Sequence, residues 1–222
     1  MELSGGEAAS TPKGLLRQLP GLEPLLNRPR PAARLRDAAL VQLCDVLEQV
    51  GPDAPTLCGG FDAHELAIHV WQLSHDPLAW PGIGVRRFAP LTARRAARVR
   101  ARTSFEAIVH ELRHGPRQPR AMSLERTALH PLGEYWVHTQ DVARPNRVEL
   151  PAPSDELEDG LWDRLAPAAK ILRGRRTPRL TLVRPDGCTI VVGRGPITRT
   201  LTGKPSELLL WVHGRRDVAD VR

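Results

Sequence analysis

Apolar residues fall first into helix-spaced blocks along the chain and then into strand-like ones. From Ala32 on, Leu35, Ala39, Leu43, Val46, Leu47 and Val50 recur every three or four positions, which predicts a helix that Gly51-Pro52 stops. A second helix is expected over Ala63–His75. Its start carries a capping-box pattern, Asp62 with Glu65 three residues on, and Phe61 and Leu66 stand at hydrophobic-staple positions. Leu66, Val70 and Leu73 form its inward stripe. A third helix follows Ser104, turns Phe105, Ile108, Val109 and Leu112 inward, and stops at Gly115-Pro116. A fourth covers 132–143 and ends before Pro145. The connection over 80–103 is long, basic and partly irregular, with helical turns in TARRAARVRAR, and 116–123 reads as loop.

The proline-rich stretch 149–154 reads as a linker. Beyond it, Leu157, Leu161, Leu165 and Ala168 share one face of a helix over 155–172, with Pro167 as a point of kinking. Strand patterns follow at 179–184, 188–193 and 197–203, the first two joined by a Pro185-Asp186-Gly187 turn that signals a hairpin. Ser206 reads as the cap of a short final helix. The fold class is therefore α+β: a poorly ordered extension over 1–30, a four-helix unit over 31–148 and a small α+β unit over 155–222.

With 222 residues, 41% hydrophobic and 26% charged, the chain can bury a core without disulfide staples. Its three cysteines, Cys44, Cys58 and Cys188, are too few and too scattered for a disulfide framework or a thiolate zinc knot. No apolar run reaches the roughly 18 residues of a membrane span, and the first residues show no signal-peptide pattern. The expected setting is cytoplasmic, with no membrane partner. The net charge of +7 is a weak pointer to nucleic acid, because only Lys13, Lys170 and Lys204 among the 32 basic residues are lysines, and the arginine excess follows an Ala- and Pro-rich composition. Distribution says more. No acid lies between Asp76 and Glu106, where Arg86, Arg87, Arg94, Arg95, Arg98, Arg100 and Arg102 stand. This is a solvated basic face or a site for an anion.

The histidines carry the candidate chemistry. Glu134 and His138 are one helical turn apart and share a face, so both side chains can point at one atom, and Asp141 continues that face. A carboxylate and an imidazole so spaced make a two-ligand metal platform. His69 borders the apolar stripe of the second helix, where a histidine needs a partner. Alone it reads as a structural histidine. With Glu134 and His138 it becomes a third ligand from a facing helix, as bundles build metal sites. Two histidines and one glutamate would leave a position open for water or substrate.

His110-Glu111-Leu112-Arg113-His114 fits H-E-x-x-H, but its helix ends at once and no third ligand follows. His64 and His75 read as exposed, His130 as lying near the mouth of the helix unit, and His213 as remote from the constellation. Cys58, just before the second helix, reads as a packing residue more readily than as an activated thiol.

The stretches GPDAPTLCGGFDAHELAIHV and EYWVHTQDVAR resemble two motifs of the mycothiol-dependent maleylpyruvate isomerase-like proteins. These are an actinobacterial branch of the DinB-like metal-binding four-helix bundles. The resemblance extends over about 32–222 and comes nearest to an uncharacterised metal-binding subfamily. It implies a DinB-like bundle followed by a sterol-carrier-like α+β unit, with metal ligands at His69, Glu134 and His138. It further implies zinc as the metal, mycothiol as thiol cosubstrate and a small electrophile as substrate of an isomerase or S-transferase. Asp141 would then orient His138 from behind, and Arg94 and Arg95 would hold carboxylates of cosubstrate or substrate. Phe61 stands where the family usually has tryptophan, Thr139 where it often has a second histidine, and His64 where a small residue is usual. The N-terminal extension is also atypical. A non-catalytic metal- or ligand-binding protein of the same fold is the alternative, and a nucleic-acid partner is not expected.

Overall fold

A computed structural model describes residues 31–76, 78–79, 86–115, 125–173, 179–194 and 197–222, and the expected extension over 1–30 and loop over 116–123 lie outside them. Among the described residues the chain is mixed α+β and dominated by helices, with one small sheet. The helices are α1 (Pro31–Val50), α2 (Ala63–His75), α3 (Ala89–Arg100), α4 (Phe105–His114), α5 (Glu125–Ala143), α6 (Asp155–Arg173) and α7 (Pro205–Val212). The strands are β1 (Arg179–Val183), β2 (Thr189–Val192) and β3 (Ile197–Thr202). None of these helices is long and apolar enough to cross a membrane.

The apolar periodicity places the core. α1, α2, α4 and α5 pack together, and Leu43, Leu47, Leu66, Ile108 and Leu132 are wholly or almost wholly buried among them. Leu161 of α6, Leu182 of β1 and Leu208 of α7 belong to the same continuous apolar cluster, so 31–222 form one compact unit. In α4 the four positions expected inward, Phe105, Ile108, Val109 and Leu112, are the buried ones. In α2 the expected Leu66 and Val70 are buried and Leu73 is half-buried, while Ala63, His64, Ala67, Ile68 and Gln72 are buried as well.

The start of α2 is fixed by its sequence. The Asp62 carboxylate accepts from Glu65 N at 2.7 Å, and Glu65 Oε2 accepts from Asp62 N at 3.2 Å. Arg100 of α3 grips the same Asp62 carboxylate with two bonds of 2.9 and 2.8 Å. Asp62→Ala removes both cap and clamp and is expected to cost about 1–2 kcal/mol in chemical denaturation, with most of the loss recovered by Asp62→Asn. A loss as large in Asp62→Asn would show that the charge, not the cap, matters.

Two elements, α5 and α3, differ from the sequence pattern for physical reasons. α5 begins at Glu125, seven residues earlier than expected, and runs through Pro131. α6, as expected over 155–172, contains Pro167, an exposed position flanked by the buried Leu165, Ala168 and Ala169. Each proline removes a single backbone donor, and burial of the neighbouring apolar face holds the helix together. The TARRAARVRAR stretch is a full helix, α3, with no fully buried residue. It is tied on by Arg95, whose guanidinium makes two 2.7 Å bonds to Asp76, and by the Arg100 clamp.

In the sheet, β1 is central and pairs antiparallel with β2 and parallel with β3, Leu182 lying opposite Ile190 and Leu201. The expected turn joins β1 to β2, and Gly187 takes φ 89° there, a conformation that favours glycine. Ser206 does not cap α7. Lys204 is the N-cap, and Pro205 opens the helix. The Ser206 hydroxyl and N–H instead donate to the buried Glu158 of α6 at 2.8 and 2.9 Å. A carboxylate there also suits the positive end of the helix. Trp136 Nε1 of α5 donates to the Ser206 carbonyl at 3.4 Å. These bonds lock α7 against α5 and α6 and determine where its far end, at His213, arrives.

Candidate metal centre

Around Glu134, α5 is buried on nearly every side, with Tyr135, Trp136 and Val137 packed away from solvent. His138 Nε2 stands 3.9 Å from Glu134 Oε2, as one helical turn dictates. His69 arrives from α2, its ring edge-on to that of His138 with centroids 5.2 Å apart. His138 thus neighbours both Glu134 and His69, although the ligand atoms that lie within 4.8 Å of one another among the described residues are those of a different set, Cys58, His138 and Asp141.

Asp141, fully buried on the next turn, accepts from His138 Nδ1 at 3.0 Å. An ionised carboxylate only accepts, so Nδ1 carries a proton and Nε2 is the ring atom turned toward Glu134. That Nε2 is buried and has no hydrogen-bond partner. Metal-binding histidines are held in this way, one ring nitrogen donating to a carboxylate and the other left for the ion.

Charge is concentrated here. Burial alone would push the His138 imidazole down, but its bonds to Asp141 and Cys58 outweigh that and drive it well above the ordinary histidine range. A cation bound at Nε2 would take the place of any proton there. Burial would raise Glu134, yet His213, His138 and His130 around it bring its carboxyl down to about 2. His69 is pushed down to about 4, by burial first and then by the neighbouring His138 charge, so near neutral pH it is an uncharged donor.

Two features went unrecognised in the sequence. The first is His213, which is not remote: its Nε2 lies 3.7 Å from Glu134 Oε1. The second is Arg164 of α6, whose Nη2 is 2.8 Å from His130 Nδ1 and 3.7 Å from Glu134 Oε1. Gly133 makes that reach possible, because a Cβ there would stand 2.8 Å from Arg164 Cγ.

On the other face of His138, Cys58, His138 and Asp141 bring ligand atoms within 4.8 Å of one another, a group that could hold a metal ion. A cation already occupies that side. Arg215 donates from Nε to Asp141 Oδ1 at 2.7 Å and from Nη2 to Asp141 Oδ2 and to Cys58 Sγ, the last at 2.9 Å. Cys58 in turn donates to Asp141 Oδ2 at 3.1 Å, a polar role in place of the expected packing one. The guanidinium neutralises the carboxylate that a metal would need there; Glu134 is likewise faced by Arg164, and what favours its side is the unpaired Nε2 of His138.

His64 is buried and meets Phe105 edge-on, and His75 is half-buried and stacked on Trp71, so neither is the exposed residue expected. His110 and His114 are exposed, and Glu111 between them accepts from Trp71 Nε1. No third ligand joins them among the described residues. Arg95 is held by Asp76, and Arg94 is exposed on α3. Between α2 and α3 lies a cavity of about 450 Å³ lined by Phe61, Ile68, His69, Ala93, Ala96 and Ala97 among others, so His69 borders both the cavity and the ligand cluster.

Comparison with models of known families, with curated proteins and with solved structures finds no match.

Proposed function

We propose that the chain binds one divalent metal ion through His69, Glu134 and His138 and uses it in thiol chemistry, as a mycothiol-dependent S-transferase or isomerase acting on a small electrophile. The observation that carries the metal reading is the buried, unpartnered Nε2 of His138, backed by Asp141 and facing Glu134. Two imidazoles and a carboxylate accept zinc, nickel, iron or manganese, and zinc is the ion that the family likeness implies. The thiol and the electrophile rest on the likeness of GPDAPTLCGGFDAHELAIHV and EYWVHTQDVAR to the mycothiol-dependent, DinB-like proteins. The same likeness reads the helical part as a DinB-like bundle and the part from 155 on as sterol-carrier-like. When bound, such an ion acts as a Lewis acid and lets a thiol exist as thiolate near neutral pH.

The chain's own residues do the rest. Asp141 fixes the tautomer and orientation of His138, and Arg215 keeps Asp141 ionised. The cavity beside His69 excludes water and receives the apolar part of the electrophile. Arg95 is committed to Asp76 and Arg94 is exposed on α3 without lining the cavity, so a role for either toward a cosubstrate carboxylate rests on the likeness alone.

The test is turnover of a panel of electrophiles by zinc-loaded protein with mycothiol, glutathione or cysteine. The expected result is consumption that needs both metal and mycothiol and falls to background in Glu134→Ala. Metal-loaded protein that turns over nothing with any thiol would contradict the enzyme and leave a metal-binding protein without catalysis.

A further inference from the structure

His213 closes α7, a helix whose Leu208, Leu209, Leu210, Trp211 and Val212 are all buried. Its side chain is only 8% exposed. Nδ1 lies 2.9 Å from the Leu209 carbonyl oxygen, which can only accept, so Nδ1 carries the ring proton. That bond aims Nε2 inward, where it is buried and has no hydrogen-bond partner. It faces Glu134 Oε1 at 3.7 Å, while His138 Nε2 faces Glu134 Oε2 at 3.9 Å. Both separations exceed hydrogen-bond range. One ionised carboxylate thus sits between two imidazole nitrogens, each fixed from behind by an acceptor at Nδ1. Asp141 does this for His138 and the Leu209 carbonyl for His213. His130 Nδ1 and Arg164 Nη2 also face Glu134 Oε1, at 3.5 and 3.7 Å, but neither pairs with the two buried Nε2 atoms, and buried polar atoms left unpaired are costly.

We propose that His213 is a fourth protein ligand of the ion held by His69, Glu134 and His138. The inference rests on the metal reading above and extends it. The ligand set then draws on three helices, α2, α5 and the C-terminal α7. The position otherwise left to water is filled by protein, so an incoming ligand must displace His213 or expand the coordination to five. His213 also ties metal binding to the seating of α7, which the Ser206–Glu158 and Trp136–Ser206 bonds fix at its other end.

The test uses full-length protein titrated with Co²⁺, read by its visible absorption and by hyperfine-shifted, exchangeable imidazole N–H resonances. Three such resonances are expected in the wild type, from His69, His138 and His213. His213→Ala and His213→Gln should bind Co²⁺ at least about tenfold more weakly, with altered absorption and one fewer resonance. Free imidazole should restore the absorption of His213→Ala. Two resonances in the wild type, or unchanged affinity and absorption in both variants, would overturn the inference and leave the three-ligand site standing. Wild type that takes up no Co²⁺ would overturn the site itself. The wild-type resonance count decides the matter even if neither variant folds.

Discussion

Arg215→Ala is expected to destabilise the protein by about 3–5 kcal/mol, the cost of leaving one partner of a buried ion pair uncompensated. The Asp141 side chain is wholly buried, and Arg215 supplies bonds to both of its oxygens. His138 and Cys58 also bond to that carboxylate but cannot replace a guanidinium. Burial would raise the Asp141 carboxyl, yet His138 and Arg215 hold it far below the usual carboxylate range. Because the folded value is depressed, this stability is fully present above the unfolded-state value near pH ~4 and is lost as pH falls toward the folded one. Urea unfolding at neutral pH checks the prediction. The double variant Arg215→Met, Asp141→Asn should lose less than the sum of the single changes, since no unpaired charge remains. A loss under about 1 kcal/mol for Arg215→Ala would mean that water reaches Asp141 and that the pair is a surface one.

Alanine at His69, Glu134 or His138 is expected to abolish stoichiometric metal binding, the largest effect on function in this chain. Wild-type protein should carry about one equivalent of zinc by elemental analysis after loading and dialysis. Each single variant should carry almost none, because each removes one of the three donors on which the proposed site rests. The double variant His110→Ala, His114→Ala should keep the full equivalent, since those two histidines stand exposed on α4. Asp141→Asn should fall between, about 10–100-fold weaker in affinity, as for residues that orient a ligand without being one. Loss of metal in the His110/His114 variant with retention in Glu134→Ala would move the site to α4.

Much of this arrangement was legible in the residues. The capping box at Asp62 and Glu65 fixed the start of α2, and helical spacing put Glu134, His138 and Asp141 on one face. Such signals are local, and a periodicity of 3.6 residues reports them well. Other features were not legible because they depend on where distant elements land. His213 follows an apolar run whose pattern says only that it is buried, while its place beside Glu134 depends on how α7 is seated against α5 and α6. Arg164 and Arg215 look like ordinary members of an arginine-rich chain, and nothing nearby in sequence reveals their acidic partners. Gly133 gave no signal in the sequence, and only the crossing of Arg164 gives it a purpose. Pro131 misled in the other direction, since the helix expected to begin after it runs through it, buried neighbours outweighing one lost backbone bond.

The central claim is tested most directly by anomalous difference density, measured at the zinc edge on crystals of zinc-loaded protein. The account predicts one strong peak on the Nε2 side of His138, between Glu134 and His69. A peak on the Nδ1 side instead, among Cys58, His138 and Asp141 with Arg215 displaced, would contradict it.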